Sequence, residues 1–466
     1  MSTDLADLLH DTTVLHRFVD FLEGYCKEHE SSKTYPDSSG EFFGYVRRLS
    51  AGIKEQLPRQ IRLARKFPHR LPTLRSGILA LKQYLRILHA LVKPATDAHA
   101  LTIPAPLIDL ASEQLRAVDA MSGTQVVVLL ASELMYFQWP HTQIKLQATL
   151  VQEFIPRAVL PPKLGFIELP YSQGPSFFTN LNIYHEIGHV VYEELAGSSR
   201  PNPHFVRLKS SISRWLTLAL PSRNRDPQSI AVALRIVENW TQEIFCDLFA
   251  IKLIGPAFSL SFIEMLGMLG YLSRSSSIRF NPTHPAPAFR LAEHLRSLSD
   301  DGWWEAIHDT NCEQKRTLAK LAAIPSSSYR FYIDEKKPGL QAFVINFLET
   351  VAPAIRSLVS EVTRNASCSA SQFSTDRVII NKCLVAGVVP HNPGGSALTP
   401  VSIINSSLLF YLTSIAELIR HFEKSNERVT VEIYSKWMKR VEAWTIKAID
   451  DSRLYAQLVE NRRAKA

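Results

Sequence analysis

The clearest hydrophobic pattern in the chain runs through residues 181–195, where apolar side chains recur every three or four positions, as on one face of a helix. The repeating positions are Leu181, Ile183, Tyr184, Ile187, Val190, Val191 and Leu195. Thr179 and Asn180, just before them, are residue types that cap helix N-termini. The pattern therefore predicts a largely buried helix that begins near residue 179.

A second, longer helical pattern follows between residues 230 and 248. Asp226 is a plausible N-cap, Pro227 fits the first helical position, and Gly255-Pro256 predicts the end. Most positions in its second half are apolar: Trp240, Ile244, Phe245, Cys246, Leu248, Phe249, Ala250 and Ile251. A carboxylate buried among them needs a cation or hydrogen-bond donors.

Helical patterns also dominate both ends of the chain, and residues 165–170 predict one short strand closed by Pro170. The fold class that we expect is mostly α with a small β-sheet. We expect three regions: helical residues 1–120, a chemistry-bearing core at 121–300, and helical residues 301–466.

Two apolar runs, at 258–272 and 401–419, contain Glu264, Asn405 and Glu417, which favours buried helices over membrane spans. The first residues, Met1 to Leu5, are acidic and no apolar segment follows them, so we expect no secretion signal. The five cysteines lack metal-finger spacing, and their odd number favours buried thiols in a reducing compartment. These features predict a cytoplasmic protein without a transmembrane segment.

The net charge is +8, with basic clusters at Arg47-Arg48, 59–70 and Arg462-Arg463. Such clusters attract polyanions. No groove-reading motif or aromatic RNA-binding signature accompanies them, so a solvated basic surface is favoured over a nucleic-acid site. The sequence predicts no oligomeric state.

Residues 185–189 read His-Glu-Ile-Gly-His and lie within the first helical pattern. On a helix, His185 and His189 stack roughly 6 Å apart on one face and can bind the same cation. This is the HExxH spacing, in which a metal lowers the pKa of a water and Glu186 removes its proton. Gly188 costs helix stability, which indicates that a strand, a substrate or a neighbouring helix packs closely there.

Two histidines leave a tetrahedral zinc site short of one protein ligand. Metzincin spacing is excluded, because Tyr192 and Leu195 stand where that class needs glycine and histidine. Glu193 and Glu194 follow too soon on the same helix to reach the metal. The third ligand must come from elsewhere in the chain.

The second helix offers two candidates. Glu243 is followed four residues later by Asp247, whereas the alternative, Glu238, has no such partner. The second carboxylate matters because a group that accepts the far N–H of a ligating imidazole fixes the tautomer of that imidazole.

The HExxH segment with Glu243 and Asp247 resembles the gluzincin metallopeptidases, which include thermolysin. The resemblance implies one zinc ion per chain, with His185, His189 and Glu243 as ligands and Asp247 orienting the first histidine. It implies peptide or protein substrates. The separation between His189 and Glu243 is 243 − 189 = 54 residues, wider than in thermolysin, so an inserted segment is expected.

Residues 283–290, Thr-His-Pro-Ala-Pro-Ala-Phe-Arg, resemble a segment near the metal of the CAAX-prenyl-peptidase family. The resemblance implies that His284 donates to the oxyanion of the tetrahedral intermediate and that Arg290 pairs with a carboxylate. The alternative is a simple helix start with Pro285 in the first turn. Members of that family are membrane proteins, and this chain lacks their spans.

The hypothesis is therefore a zinc metallopeptidase with a zincin-like core, in which Glu186 is the general base and 165–170 is an edge strand that pairs with the substrate backbone. The alternative is a zincin-like domain whose zinc is structural and which acts as a binding protein. A closed shell of four protein ligands would favour that alternative. A third reading is a nucleic-acid binder with an incidental motif.

Overall fold

The computed structural model describes residues 3–30, 37–98, 104–118, 121, 125–131, 137–138, 148–149, 151, 164–170, 176–197, 202–219, 227–331, 338–392, 397–422 and 430–465. These residues are mostly α-helical with little β-structure, which confirms the predicted class. They form two compact units: Met1–Arg116 with Met121–Pro175, and Ala117–Ala120 with Ser176–Ala466. The three-region division at 120 and 300 stays a prediction.

In the part of the first unit that the structure describes, α-helices combine with a three-stranded sheet. The helices are α1 (Thr3–His29), α2 (Asp37–Lys66), α3 (Leu71–Asp97) and α4 (Ala105–Arg116), and the strands are β1 (Gln125–Ala131), β2 (Phe137–Gln138) and β3 (Leu164–Pro170). Leu22, Phe42 and Leu81, one each from α1, α2 and α3, meet Val127 of β1 and Phe166 of β3 in one apolar core.

The strand predicted at 165–170 is present as β3, but its predicted place at a sheet edge is wrong. It lies between β1, with which it pairs in parallel, and β2, with which it pairs antiparallel. It also belongs to the first unit, whereas the HExxH segment belongs to the second. Sequence alternation identifies a strand but carries no information about strand order.

The second unit is built from the remaining helices and two short strands. They are α5 (Ile183–Gly197), α6 (Pro203–Ala219), α7 (Pro227–Ile254), α8 (Pro256–Met268), α9 (Arg274–Ser277), β4 (Arg279–Phe280), α10 (Pro287–Asp300), α11 (Trp303–Ala306), α12 (Glu313–Ala322), β5 (Arg330–Phe331), α13 (Pro338–Val362), α14 (Ala370–Val385), α15 (Pro400–Thr413), α16 (Ile415–Phe422) and α17 (Val431–Lys465). Helix α7 packs against α5, α10 and α13. Most of its second half is buried, as its apolar pattern predicts.

The start of α5 differs from the prediction. Residues Thr179–Asn182 form a 3-10 turn before the helix, and their N-terminal end is held by Ser176, whose hydroxyl accepts from the Thr179 N–H at 3.4 Å. The Ser176 hydroxyl in turn donates to Glu442 Oε1 on α17 at 3.0 Å. Glu442 therefore anchors the entry to the helix that carries the HExxH segment.

Two further helix boundaries can be compared with the sequence. Helix α7 begins at Pro227, as predicted, while Asp226 lies outside the described residues. Helix α10 begins at Pro287, so the expectation that Pro285 stands in its first turn is wrong. A proline occupies the first position because that residue needs no intrahelical N–H partner.

The two apolar runs form the buried helices α8 and α15 and the shorter α16. Among the described residues, no single helix has the length and apolar character to cross a membrane. One pair, α15 and α16, meets that criterion only together and is bent by 73°. All five cysteines are free, and three of them are buried: Cys26, Cys246 and Cys312.

Helices α5 and α7 lie in close contact at Gly188. A Cβ atom built on Gly188 would lie 2.7 Å from Cys246 Cα and 2.9 Å from Cys246 Cβ. The close neighbour is thus a helix, and the expectation of a strand or a substrate at this glycine is wrong. Because the contact is backbone to backbone, it sets the distance between the two helices that carry the candidate ligands.

We expect Gly188→Ala to lower the free energy of unfolding by about 1–3 kcal/mol, because the added methyl group forces α5 away from α7. The matched control is Gly197→Ala at the end of the same helix, where a Cβ would meet nothing within 4 Å. That control should be neutral or stabilising by up to about 1 kcal/mol. Urea unfolding followed by tryptophan fluorescence measures both, and equal stability of the two variants would contradict the packing described.

Glu442 predicts a pH dependence. Burial raises the pKa of its carboxyl above the ordinary 4.5, despite hydrogen bonds from Ser176 and from the Phe177 and Phe178 backbones. The folded state thus favours the neutral acid, and stability is lost as the pH rises through the folded pKa. Glu442→Gln should therefore be more stable than the wild type at pH 7.5, with the difference vanishing near pH 4. Urea unfolding at both pH values tests this; a difference independent of pH would contradict it.

Candidate metal centre

The site begins with one turn of α5. His185 and His189 lie one turn apart with their Nε2 atoms separated by 3.2 Å and their ring planes at 83°. His185 is buried and His189 is half-buried. Both rings thus direct the same nitrogen to one point, as the spacing of the motif predicts.

Helix α7 brings Glu243 to the same point. Its Oε2 lies 3.3 Å from His185 Nε2, and its Oε1 lies 3.4 Å from His189 Nε2. In a tetrahedral zinc site, donor atoms about 2.0–2.1 Å from the metal are about 3.3 Å from one another. Each histidine nitrogen thus lies close to that separation from one oxygen of the same carboxylate, Oε2 for His185 and Oε1 for His189.

The hydrogen-bonding state of Glu243 supports a cation at this point. Its side chain is 8% exposed, and its buried Oε2 makes no aligned hydrogen bond to the described residues, although His185 Nε2 and Arg290 Nη1 lie 3.3 and 3.4 Å away. A buried carboxylate oxygen without a donor is costly. A metal ion held with His185 and His189 would satisfy it, so the residues present fit the metal that the sequence predicts.

Asp247 lies one turn beyond Glu243 and is fully buried. Its Oδ1 accepts from His185 Nδ1 at 2.9 Å and from Arg290 Nη2 at 2.6 Å, while its Oδ2 accepts from Arg290 Nε at 2.6 Å. The contacts expected of Asp247 and Arg290 are thus present. With the proton on Nδ1, His185 presents the lone pair of Nε2 to the centre.

The pKa values reflect the mutual dependence of these charges. Burial acts to raise the pKa values of Glu243 and Asp247, but contacts with the histidines and Arg290 hold both well below their ordinary values. Burial acts to lower the pKa of His185, but its hydrogen bonds to Asp247 and Glu243 raise it to about 10. Arg290 alone therefore does not balance the charge of the two carboxylates. The remaining positive charge has to come from either a proton or a metal ion.

His284 reaches the centre from a turn between β4 and α10. Its Nε2 lies 3.6 Å from Glu243 Oε1, and 42% of its side chain is exposed. The Oδ1 atom of Asn281 accepts from the backbone N–H groups of Thr283 and His284, which shapes the turn. Trp240 on α7 donates to the Asn281 carbonyl at 2.7 Å, so the ligand helix also fixes this turn.

Glu186 and Glu238, the other two carboxylates considered in the sequence, lie in surroundings that differ from each other. Glu186 is 8% exposed, and among the described residues its carboxylate has no hydrogen-bond or ion-pair partner. Glu238, the alternative third ligand, is instead directed to Lys209, whose Nζ donates to it at 2.9 Å, and its side chain is 46% exposed. The structure thus brings Glu243, and not Glu238, to the two histidines.

Sequence reasoning missed Cys246 as a possible donor. The donor atoms of His185, His189 and Cys246 all lie within 4.8 Å of one another. Burial, followed by the charge of Glu243, raises the pKa of the thiol well above its ordinary value. Because zinc binds the thiolate, we favour Glu243, which is already ionised, as the third ligand. The cysteine appears in the sequence as one more small apolar residue on a buried helix.

No family model, no curated protein and no solved structure matches this chain. The likeness to gluzincins therefore depends on the motif residues and their geometry alone.

We expect the purified chain to bind one zinc ion and Glu243→Ala to lose most of it, because the substitution removes the only carboxylate that contacts both histidines among the described residues. Glu238→Ala, a change of the same kind on the same helix, should retain it. Elemental analysis after dialysis measures the metal.

Cys246→Ser separates the two possible ligand sets. If Glu243 is the third ligand, the serine variant keeps its zinc, because the thiol takes no part in binding. A full zinc content in Glu243→Ala together with a loss in Cys246→Ser would contradict the assignment.

Proposed function

We propose that the chain is a zinc-dependent metallopeptidase of gluzincin type with a zincin-like core in its second unit. The observation that carries this proposal is the convergence of His185 Nε2, His189 Nε2 and the Glu243 carboxylate, with separations of 3.2–3.4 Å; Glu186 follows His185 on the same helix. His185, His189 and Glu243 would hold one zinc ion. Peptides or proteins are the proposed substrates, and a cytoplasmic location remains a prediction.

Zinc in such a site acts as a Lewis acid, polarising the scissile carbonyl and acidifying a water. Glu186 is the proposed general base. It follows His185 directly on α5 and has no competing partner among the described residues, and its charge, after burial and Glu243, helps to raise the pKa of Cys246 next to the candidate ligands. It accepts a proton from the attacking water and later delivers it to the leaving amine.

Asp247 and Arg290 keep His185 in the tautomer whose Nε2 lone pair is available to a metal. The Asp247 carboxylate holds the proton on Nδ1, and the guanidinium of Arg290 binds both Asp247 oxygens. Two parallel N–H···O bonds fix the plane of a carboxylate. Because that plane is fixed, the His185 ring is held in the orientation that directs Nε2 to the centre.

His284 is the proposed donor to the oxyanion. Burial lowers its pKa, so the ring is neutral and carries one N–H. The Thr283 hydroxyl lies 2.8 Å from Nδ1, and Glu243 Oε1 lies 3.6 Å from Nε2. The proposed role requires the tautomer with the proton on Nε2, which the carboxylate favours and in which the Thr283 hydroxyl donates to Nδ1 instead of to Asn281 Oδ1, 2.9 Å away. This tautomer directs the N–H to the position where negative charge develops during peptide hydrolysis.

A second candidate function is a binding protein with structural zinc, which the position of Cys246 favours. Together with His185, His189 and Glu243, its sulfur would give four protein donors and leave no open position. Such a centre would stabilise the α5–α7 pair without catalysis. The two functions differ in whether sulfur is bound to the metal.

Glu186→Gln should lower peptide cleavage by about 10²–10⁴-fold, because the amide cannot accept the proton that a general base removes. Zinc content should be unchanged, since Glu186 is not a ligand. Digestion of a broad peptide library, followed by mass spectrometry and elemental analysis, measures both properties.

Glu194→Gln, two turns later on the same helix, is the matched control and should cleave like the wild type. Full cleavage by Glu186→Gln would rule out the proposed role of Glu186. A wild type that contains zinc but cleaves no peptide would favour the binding protein.

A further inference from the structure

A further histidine, His294, lies near the centre. It contacts Oδ2 of Asp247, whereas His185 contacts Oδ1. His294 stands one turn after Arg290 on α10 and is fully buried. Its Nε2 lies 3.2 Å from Asp247 Oδ2. Neither of its ring nitrogens makes an aligned hydrogen bond to the described residues. Burying an imidazole in this state costs free energy, which indicates that the residue does more than fill space.

Two phenyl rings pack near His294. Its ring centroid lies 5.3 Å from that of Phe258 and 5.1 Å from that of Phe262. A leucine or phenylalanine would fill the same space without burying two nitrogens. Among the described residues, the ion-pair partner of the ring is the Asp247 carboxylate at 3.2 Å, so the imidazole is explained by that carboxylate and not by packing.

Asp247 offers four acceptor positions, two on each oxygen. Two on Oδ1 are taken by His185 and Arg290, and one on Oδ2 is taken by Arg290. His294 Nε2 lies 3.2 Å from Oδ2, within reach of the fourth. A neutral imidazole must direct its single N–H at the carboxylate, because its other nitrogen would place a lone pair against negative charge.

We propose that His294 is a positioning residue of the metal centre, whose Nε2–H holds Asp247 Oδ2 and thereby fixes the carboxylate that orients His185. This inference deepens the proposed function and depends on it. Arg290 fixes the plane of the Asp247 carboxylate but leaves one acceptor position of Oδ2 open. A second donor from the same helix occupies that position, and the orientation of the ligand histidine is kept.

The test compares two amides at position 294 in the full chain. The amide nitrogen of glutamine takes the place of Nε2, whereas that of asparagine takes the place of Nδ1 and falls short of Asp247. We expect His294→Asn to weaken zinc binding about 10-fold and His294→Gln to stay within about twofold of the wild type. Competition with a metallochromic chelator measures the Kd for zinc alone, with no substrate present.

Glu293→Gln is the matched control, because Glu293 is 3% exposed on the same helix but pairs with Arg296 and Arg356 instead of the centre. It should lower the urea midpoint without changing the Kd for zinc. Wild-type affinity in His294→Asn, or a loss in His294→Gln as large as in His294→Asn, would overturn the inference. Failure of both to fold while Glu293→Gln folds would assign His294 to the fold and overturn it too. A wild type without zinc affinity would instead overturn the proposed function.

Discussion

Two buried carboxylates on one apolar helix are the constraint on which the second unit depends. The side chains of Glu243 and Asp247 are 8% and 0% exposed. Removing such charges from water costs several kcal/mol each unless cations and donors surround them. Arg290 lies against both, and His185 makes a contact with each. The centre is thus a set of positive and donor groups collected around two negative charges, to which our proposal adds a metal ion.

Helix α7, which carries both carboxylates, also positions the elements that pack against it. Helix α5 lies close to α7 because Gly188 leaves room for the backbone of Cys246. Helix α10 delivers Arg290, and the turn that carries His284 is fixed through the carbonyl of Asn281 by a side chain of α7. The candidate ligands, the groups that support them and the proposed oxyanion donor are therefore all held in place by contacts with α7. A shift of α7 would disturb all of them together, which makes helix packing as important to the site as the ligands themselves.

Local spacing explains how much of this could be read from the sequence. The segment 185–189 and the pair Glu243 and Asp247 were predictable, because positions four apart on a helix share a face in any fold. The mostly helical class followed from apolar periodicity. Cys246 was missed because a small apolar residue on a buried helix looks like ordinary packing. His294 was missed because its function depends on the direction in which α10 crosses α7, which periodicity does not encode.

The central claim is that two imidazoles and one carboxylate bind the metal and leave a position open. X-ray absorption at the zinc edge of the loaded wild-type chain tests this most directly, because zinc–sulfur and zinc–nitrogen or zinc–oxygen distances differ by about 0.2–0.3 Å. The account predicts only nitrogen and oxygen neighbours near 2.0–2.2 Å, two of them imidazoles. A sulfur neighbour near 2.3 Å would place Cys246 on the metal and contradict the open catalytic centre.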